Sequence, residues 1–311
     1  MNALITGCNG FVGKHLADFL RGKGYTVCGI DLQEKPVLPW VQYAKADITV
    51  YGELERVLSD WKIGQIYHLA AVASTRIADE YPLQAVQVNV LGGVHLLEYA
   101  RKSPHIRILF VGSSEQYKSK DTKQGCFTEE EDLEARNIYG ATRIAFWTLG
   151  KMYQQKYGLT VFFTRSFNHS GPGQAPQYVL SNFAKQIISI KKGEKEPVLH
   201  VGNIKVSRDF TDVRDVVKAY VSIMEKGMPG EVYNVCSGKT YSLEYLLDIM
   251  LDFASLKKSV NIKVDPVLLR SDDPEVICGD NSKLKQHTGW RPEYAIETTV
   301  KDLMKSYAEE S

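Results

Sequence analysis

Residues 2–13 read Asn-Ala-Leu-Ile-Thr-Gly-Cys-Asn-Gly-Phe-Val-Gly, a short apolar run leading straight into Gly7-x-x-Gly10-x-x-Gly13. A glycine-rich turn between a strand and a helix lets backbone N–H groups approach a pyrophosphate. The helix dipole favours negative charge at the same place. The spacing differs from the usual G-x-G-x-x-G, and three glycines after a strand also suit a plain tight turn. Context separates the two readings. A second apolar strand, Thr26-Val-Cys-Gly-Ile30, follows the first helix, and Asp31 stands at its end, 18 positions after Gly13. A carboxylate there accepts hydrogen bonds from an adenosine ribose and repels a 2′-phosphate. The pairing of turn and acid predicts NAD(H) as cofactor and disfavours NADP.

The 311 residues carry 38 basic and 37 acidic side chains. A balance this even provides no net field to recruit nucleic acid or an anionic membrane, so an anionic ligand must be held locally. The cysteines at 8, 28, 126, 236 and 278 are odd in number and contain no C-x-x-C pair. That pattern argues against a disulfide framework and against a zinc site, and it predicts a reducing, cytoplasmic setting. Met1 lies one residue from the first strand, so no signal peptide is expected. No apolar run approaches the ~20 residues that span a bilayer.

Strands and helices alternate through the first half. After the opening strand–helix–strand unit, helices are predicted near 50–62, 82–102 and 138–157, with strands at Gln65–Leu69, Ile106–Val111 and Thr160–Thr164. Such alternation predicts a doubly wound parallel α/β sheet, with ligands beyond the C-terminal strand ends. The loop Asn168-His-Ser-Gly-Pro-Gly-Gln174 breaks the pattern. Further helices are expected near 177–191 and 212–225, and Glu231–Cys236 reads as a strand returning to the main sheet. The division expected is a cofactor domain of 1–167 plus about 206–237. A smaller lobe of about 168–205 plus 238–311 would cover the cofactor and bind substrate.

Tyr139 and Arg143 project from one face of a predicted helix. Upstream, a strand ends in Gly112-Ser-Ser-Glu-Gln-Tyr117. Hydroxyls at a strand end, a phenol and a cation suit proton transfer beside a nicotinamide. A phenol of pKa ~10 works near neutrality only if a cation stabilises its phenolate. By themselves, these residues also fit a surface Tyr-Arg stack and an N-capping serine.

An ordered series of segments removes that ambiguity. It runs through Thr6-Gly-Cys-Asn-Gly-Phe-Val-Gly13, Asp47-Ile48, His68-Leu-Ala-Ala71, Asn89-Val-Leu-Gly92, Ser113-Ser-Glu-Gln-Tyr117 and Tyr139-Gly-Ala-Thr-Arg143. It continues with Arg165–Gln174, Arg208-Asp-Phe-Thr-Asp-Val-Arg-Asp215, Tyr233–Gly238 and Thr288-Gly-Trp-Arg-Pro292. The whole series resembles the extended short-chain dehydrogenase/reductases that act on nucleotide-sugars. Within them it is most similar to GDP-4-keto-6-deoxy-mannose reductases, with GDP-mannose 4,6-dehydratases as more distant relatives.

The resemblance implies roles for matching residues. Gly7, Gly10, Phe11, Val12, Gly13 and Asp31 would hold the dinucleotide, with Asp47 and Ile48 flanking the adenine. Leu69, Ala70, Ala71 and Asn89 would line the cofactor pocket. Tyr139 would move the proton at the sugar C4 oxygen, and Ser113 would hydrogen-bond that oxygen beside Ser114. Asn168 would contact the sugar nucleotide, Arg208 and Arg270 would face its diphosphate, and Asp273 the nucleotide ribose. His169 reads as loop packing. The family also implies a homodimer built on the helices near 82–102 and 138–157, where Leu96, Phe146 and Leu149 are candidate contacts, though each also suits a core.

Two departures qualify this reading. Arg143 stands where the family carries lysine; it keeps the charge, but its planar fork differs and it releases no proton. Asp31 favours NAD where reductases of this type often take NADPH. Glu115 occupies the position from which a dehydratase carboxylate removes the C5 proton, although the reductases carry a glutamate there too. The leading expectation is an NAD(H)-dependent oxidoreductase reducing a GDP-linked 4-keto-6-deoxyhexose. The alternatives are a redox-neutral dehydratase or epimerase with retained NAD, and a catalytically weak sugar-nucleotide binder. No metal is expected.

Overall fold

Ala3, Leu4 and Ile5 are all fully buried, so the first strand is apolar on both faces and needs cover on both. A parallel sheet sandwiched between helices provides that cover. The computed structural model describes residues 1–119, 125–269 and 273–309. Its strands are β1 (Asn2–Thr6), β2 (Thr26–Asp31), β3 (Gln42–Lys45), β4 (Gln65–His68), β5 (Arg107–Ser113), β6 (Thr160–Ser166) and β7 (Asn168–Ser170). They continue with β8 (Val198–Val201), β9 (Ser207–Asp212), β10 (Val232–Val235), β11 (Thr240–Ser242), β12 (Asn261–Val264) and β13 (Val276–Ile277). The helices of the first half are α1 (Phe11–Gly22), α2 (Tyr51–Asp60), α3 (Thr75–Glu80), α4 (Pro82–Val86), α5 (Gly92–Lys102) and α6 (Ile138–Tyr157). Those of the second half are α7 (Val179–Lys191), α8 (Val213–Lys226), α9 (Leu243–Ala254), α10 (Ser282–Thr288) and α11 (Ile296–Glu309).

Seven parallel strands form the main sheet in the order β3-β2-β1-β4-β5-β6-β10. The chain reverses direction of winding between β1 and β4, and in doubly wound sheets the ligand crevice opens at such a point. Leu16 and Leu20 of α1 pack with Val217, Tyr220 and Ile223 of α8 on one face. Leu54, Leu96, Leu97 and Phe146 of α2, α5 and α6 cover the other. A third apolar core joins α7, α9 and α11 through Phe183, Ile187, Leu247, Met250 and Leu303. Beside it lie a small sheet, in which β9 is flanked by β7, β11 and β13, and the pair β8–β12. Thus β9 pairs in the small sheet, while α8 and β10 that follow it pack on the large one.

Three features depart from the sequence reading. The helix expected over 82–102 is interrupted by a π-helical turn at Gln87–Leu91, a device that re-aims side chains near functional sites. Here the fully buried Asn89 accepts from Val72 N (2.8 Å) and donates to Val72 O and Thr142 Oγ1 (3.2 and 3.0 Å). Second, Leu96 and Phe146 belong to the core. The large apolar residues left exposed on these helices are instead Leu83, Val86, Leu91, Met152 and Tyr157. Third, the expectation of no disulfide is overturned: Cys126 and Cys278 are bonded across 152 residues of sequence, while Cys8, Cys28 and Cys236 stay free and buried. Spacing could not reveal this pair, because bonding depends on Cα atoms that only the fold brings close.

The disulfide lies beside a buried polar joint that ties β10 to the segments around Tyr117, Phe127 and Asp280. Tyr117 donates to Asn234 Oδ1 (2.6 Å), and Asn234 Nδ2 donates to the carbonyls of Phe127 and Asp280 (2.8 and 3.2 Å). Glu129 accepts from Asn234 N (2.7 Å), while Arg165 donates to Glu129 O (2.9 Å) and lies over the Tyr117 ring. Partners removed here leave buried groups unsatisfied, which costs more than the bond itself contributes. Asn234→Ala is therefore expected to lower unfolding free energy by about 2–4 kcal/mol. Urea denaturation checks this, and an unshifted midpoint would show that the joint adds nothing.

Candidate active site

The turn after β1 is built by steric exclusion. Gly7 adopts φ +69°, and a Cβ on it would stand 3.0 Å from Ala70 Cα; one on Gly13 would stand 2.5 Å from Gly7 O. Gly10 caps α1 without any side-chain hydrogen bond, so the first turn of that helix keeps its N–H donors for a ligand. Thr6, the residue before the turn, acts as a hub. Its Oγ1 accepts from the amides of Leu69 and Ala70 (both 3.1 Å) and lies 2.8 Å from His68 Nδ1. With two amides donating to the hydroxyl, its own proton points at Nδ1, which fixes the imidazole tautomer. Burial, aided by the nearby Arg143 cation, pushes the His68 pKa down to about 3.

Asp31 ends β2 with its carboxylate accepting from Asn9 N (3.0 Å) and Leu32 N (2.8 Å). Asn9 also donates to Lys35 O (3.0 Å) and accepts from Val37 N (2.8 Å), pinning the segment after Asp31 onto the glycine turn. Asp47 takes Thr49 N and Oγ1 on one oxygen (both 2.8 Å). The Ile48 side chain is buried and packs against Gly92. Leu69, Ala70 and Ala71 lie half-buried where β4 ends beside Gly7. Phe11 opens α1 with its ring stacked on His169 and edge-on to His15. That contact docks the Asn168–Gln174 loop on the turn, helped by His15 Nε2 at 2.9 Å from Pro172 O. Val12 packs against the core under the turn.

Across the crevice, β5 delivers Ser113 into a short turn. Ser113 Oγ accepts from Glu115 N (3.2 Å), and Gln116 closes the turn onto Ser113 N (3.0 Å) while its Nε2 donates to Arg143 O (3.3 Å). Asn137 caps α6 by accepting from Gly140 N (2.8 Å). A Cβ on Gly140 would meet Glu115 O at 2.4 Å, so the first turn of α6 lies directly against the Ser113–Gln116 segment. This close approach sets the helix turn that carries Tyr139 against the segment that carries Ser113 and Ser114. Tyr139 is buried, and its hydroxyl has no hydrogen-bond partner among the described residues. The Arg143 guanidinium stands 5.1 Å from the centre of the Tyr139 ring, over its face. Arg143 is 4% exposed, has no carboxylate partner among the described residues, and its Nε is unpaired. A buried cation left without a partner is costly unless a ligand completes its shell.

Glu115 is less free. Its carboxylate accepts from Asn137 Nδ2 (2.8 Å) and lies 3.5 Å from Arg136. Asn168 is exposed at the start of β7. Arg208 and Asp273, assigned separate ligand contacts from the sequence, form an ion pair with each other. Arg208 also donates to Ser207 O (2.8 Å). Arg270 lies outside the described residues.

The chain matches the family described as GDP-mannose 4,6 dehydratase over residues 4–303. It belongs to that family. GDP-6-deoxy-D-mannose reductase of Pseudomonas aeruginosa is 30% identical to it, over 97% of this chain and 96% of the relative. GDP-mannose 4,6 dehydratase 2 of Arabidopsis thaliana is 27% identical, over 97% and 85% of the two chains. Among solved structures, RMD from Pseudomonas aeruginosa complexed with NADPH superposes with a TM-score of 0.89 at 28% identity, covering 100% of this chain and 99% of that one. UDP-glucose 4-epimerase from Thermotoga maritima, solved with UDP-glucose, gives 0.89 at 25% identity, with coverage of 100% and 99%. The chain is thus an NAD(P)-dependent nucleotide-sugar enzyme of the extended short-chain dehydrogenase/reductase type. Membership of the GDP-mannose 4,6 dehydratase family agrees with the glycine cradle, the uncapped helix end and the unpaired Arg143, all of which suit a nicotinamide dinucleotide. No helix among the described residues is long and apolar enough to cross a membrane.

Sequence reasoning passed over Thr6, His68, Asn9, Arg136 and Asn137 as working parts. Asn137 carried a local signal, since Asn directly before a helix is a preferred cap. The others act only through distant partners. His68 has a thermodynamic signature: its native pKa is depressed, so the unfolded state binds the proton first and stability falls on acidification. Acidifying from roughly neutral to about pH 5 is expected to cost about 2 kcal/mol through this residue. Asp209, Glu129 and Asp215 shift upward by burial and act in the opposite sense. The check is therefore the difference in thermal stability between wild type and His68→Gln at the two pH values. Parallel curves would refute it.

Proposed function

We propose that this chain reduces the 4-keto group of a GDP-linked 6-deoxyhexose, using NADH. The observation that carries the reading is the buried Tyr139–Arg143 pair in the first turns of α6, which pack against the Ser113–Gln116 segment at the C-terminal edge of the parallel sheet. When bound, the nicotinamide supplies the hydride that the C4 carbon accepts. Tyr139 gives its hydroxyl proton to the C4 oxygen, and Ser113 donates a hydrogen bond to the same oxygen. Arg143 offsets the charge left on the phenolate, and holds the nicotinamide ribose. The protein's contribution is position and electrostatics. Gly7, Gly10 and Gly13 supply the pyrophosphate cradle.

Asp31 supports NADH over NADPH, since a carboxylate at the end of β2 would repel a 2′-phosphate. The relative at 30% identity supports the guanosine nucleotide and the deoxysugar. Glu115, already engaged by Arg136 and Asn137, is poorly disposed to strip a C5 proton, which favours reduction over elimination. Asn168, Arg208 and Asp273 are the candidate nucleotide-sugar contacts, with Arg270 a candidate on sequence grounds alone. A homodimer through α4–α6 is supported by the exposed Leu83, Val86, Leu91 and Met152.

Incubation with GDP-4-keto-6-deoxy-mannose and NADH should consume NADH and yield a GDP-6-deoxyhexose. GDP-mannose with NAD serves as the dehydratase control, and conversion there alone would replace this reading with elimination. Tyr139→Phe should cut turnover by about a hundredfold or more while dinucleotide binding persists. An active variant would remove the phenol from the mechanism.

Arg143 places its charge over the ring face rather than at a lysine's point position. Arg143→Lys should therefore raise turnover by roughly tenfold, equivalent to about 1.4 kcal/mol of barrier. Steady-state kinetics at saturating cofactor measure this, and an unchanged or lower rate would count against it.

A further inference from the structure

Cys126 and Cys278 join the segment packed on Tyr117 to the segment that follows β13. Phe127, next to Cys126, stacks on Tyr117 at 4.9 Å, and Tyr117 directly follows the Ser113–Gln116 turn. Cys278 directly follows β13, whose Val276 and Ile277 pair in register with Ser207 and Arg208 of β9. One covalent bond thus spans from the segment behind the proton-transfer residues to the strand carrying Arg208. The two segments also share backbone hydrogen bonds, Phe127 N to Cys278 O (2.7 Å) and Asp280 N to Phe127 O (2.8 Å). Opening the disulfide would leave this junction in place but looser.

We propose that the Cys126–Cys278 bond is a redox-reversible modification site, taking a dithiol reductant, whose state sets affinity for the sugar nucleotide; this rests on the nucleotide-sugar reading of the wall around Arg208. Both cysteines are half-buried, so a small thiol can reach them. Accessible disulfides are the labile ones. The remaining thiols do not compete. Burial raises Cys8 to about 12 and Cys28 to about 11, and lifts Cys236 as well, which keeps them from acting as thiolate nucleophiles. In the exchange, a thiolate of the reductant attacks one sulfur, breaking the bond and forming a mixed disulfide. The second thiolate of the reductant then releases the protein sulfur and closes the reductant's own disulfide. Two electrons pass to the protein, and each cysteine sulfur ends with one proton. By linkage, a ligand that binds the bonded form more tightly also protects the bond from reduction.

The test uses the full chain, oxidised and after dithiothreitol treatment, with thiols counted in each state. GDP and NADH binding are measured by calorimetry, and fold is followed by circular dichroism. The Cys126→Ser, Cys278→Ser double variant stands in for a permanently open form. The expected result is two new reactive thiols, a loss of GDP affinity of about fivefold or more, unchanged NADH binding, and recovery on reoxidation. Equal GDP affinity in both states overturns the proposal while sparing the proposed function. Loss of fold or of NADH binding on reduction also overturns it, since the bond is then a structural staple. Absence of GDP binding even in the oxidised form overturns both.

Discussion

The distance between Gly13 and Gly7 governs this molecule. A single methyl group at residue 13 would lie 2.5 Å from the Gly7 carbonyl, well inside contact distance. That closeness lets α1 begin immediately after β1, with its N-terminal donors facing the crevice. The same turn presses Gly7 on Ala70, which sets how β1 and β4 end side by side. Thr6 then secures the arrangement by accepting the amides of Leu69 and Ala70. The crevice is thus a consequence of backbone packing, and side chains are added to it afterwards.

The second organising device is a set of buried acids in the segment Arg208–Asp215. Asp209 accepts from Ser237 N, Ser237 Oγ, Gly238 N and Gly279 N at 2.6–3.3 Å. Asp212 caps α8, pairs with Arg214 and accepts from Thr299. Asp215 takes the amides of Glu293 and Tyr294, and its carbonyl accepts from the Trp290 indole. Each carboxylate substitutes for backbone partners that loops lack, at the cost of desolvating a charge. A motif that looks like chemistry in one dimension is largely a set of joints tying this segment to the C-terminal third of the chain.

Arg143 shows the opposite balance. It is buried without an ion-pair partner among the described residues, and it adds to the burial that lowers the proton affinity of His68. Such a group is tolerated where something else completes its shell. The unpaired Nε of the Arg143 cation contrasts with Asp209 and Asp212, whose carboxylates are hydrogen-bonded.

The parallel architecture, the glycine turn, the acid ending β2 and the helix carrying Tyr139 were all legible in the chain. Each is a local property, set by sterics and periodicity within a dozen residues. Sequence alone also pointed to the family, through the order of its motifs. Tertiary structure decided the rest. It bonded Cys126 to Cys278, paired Arg208 with Asp273, broke the helix at Asn89 and turned Leu96 and Phe146 inward. Those outcomes depend on partners up to 152 residues apart, and no local preference encodes which of many distant groups will meet. A strand's alternation is written along the chain; the identity of its neighbour across space is settled only when both cores close.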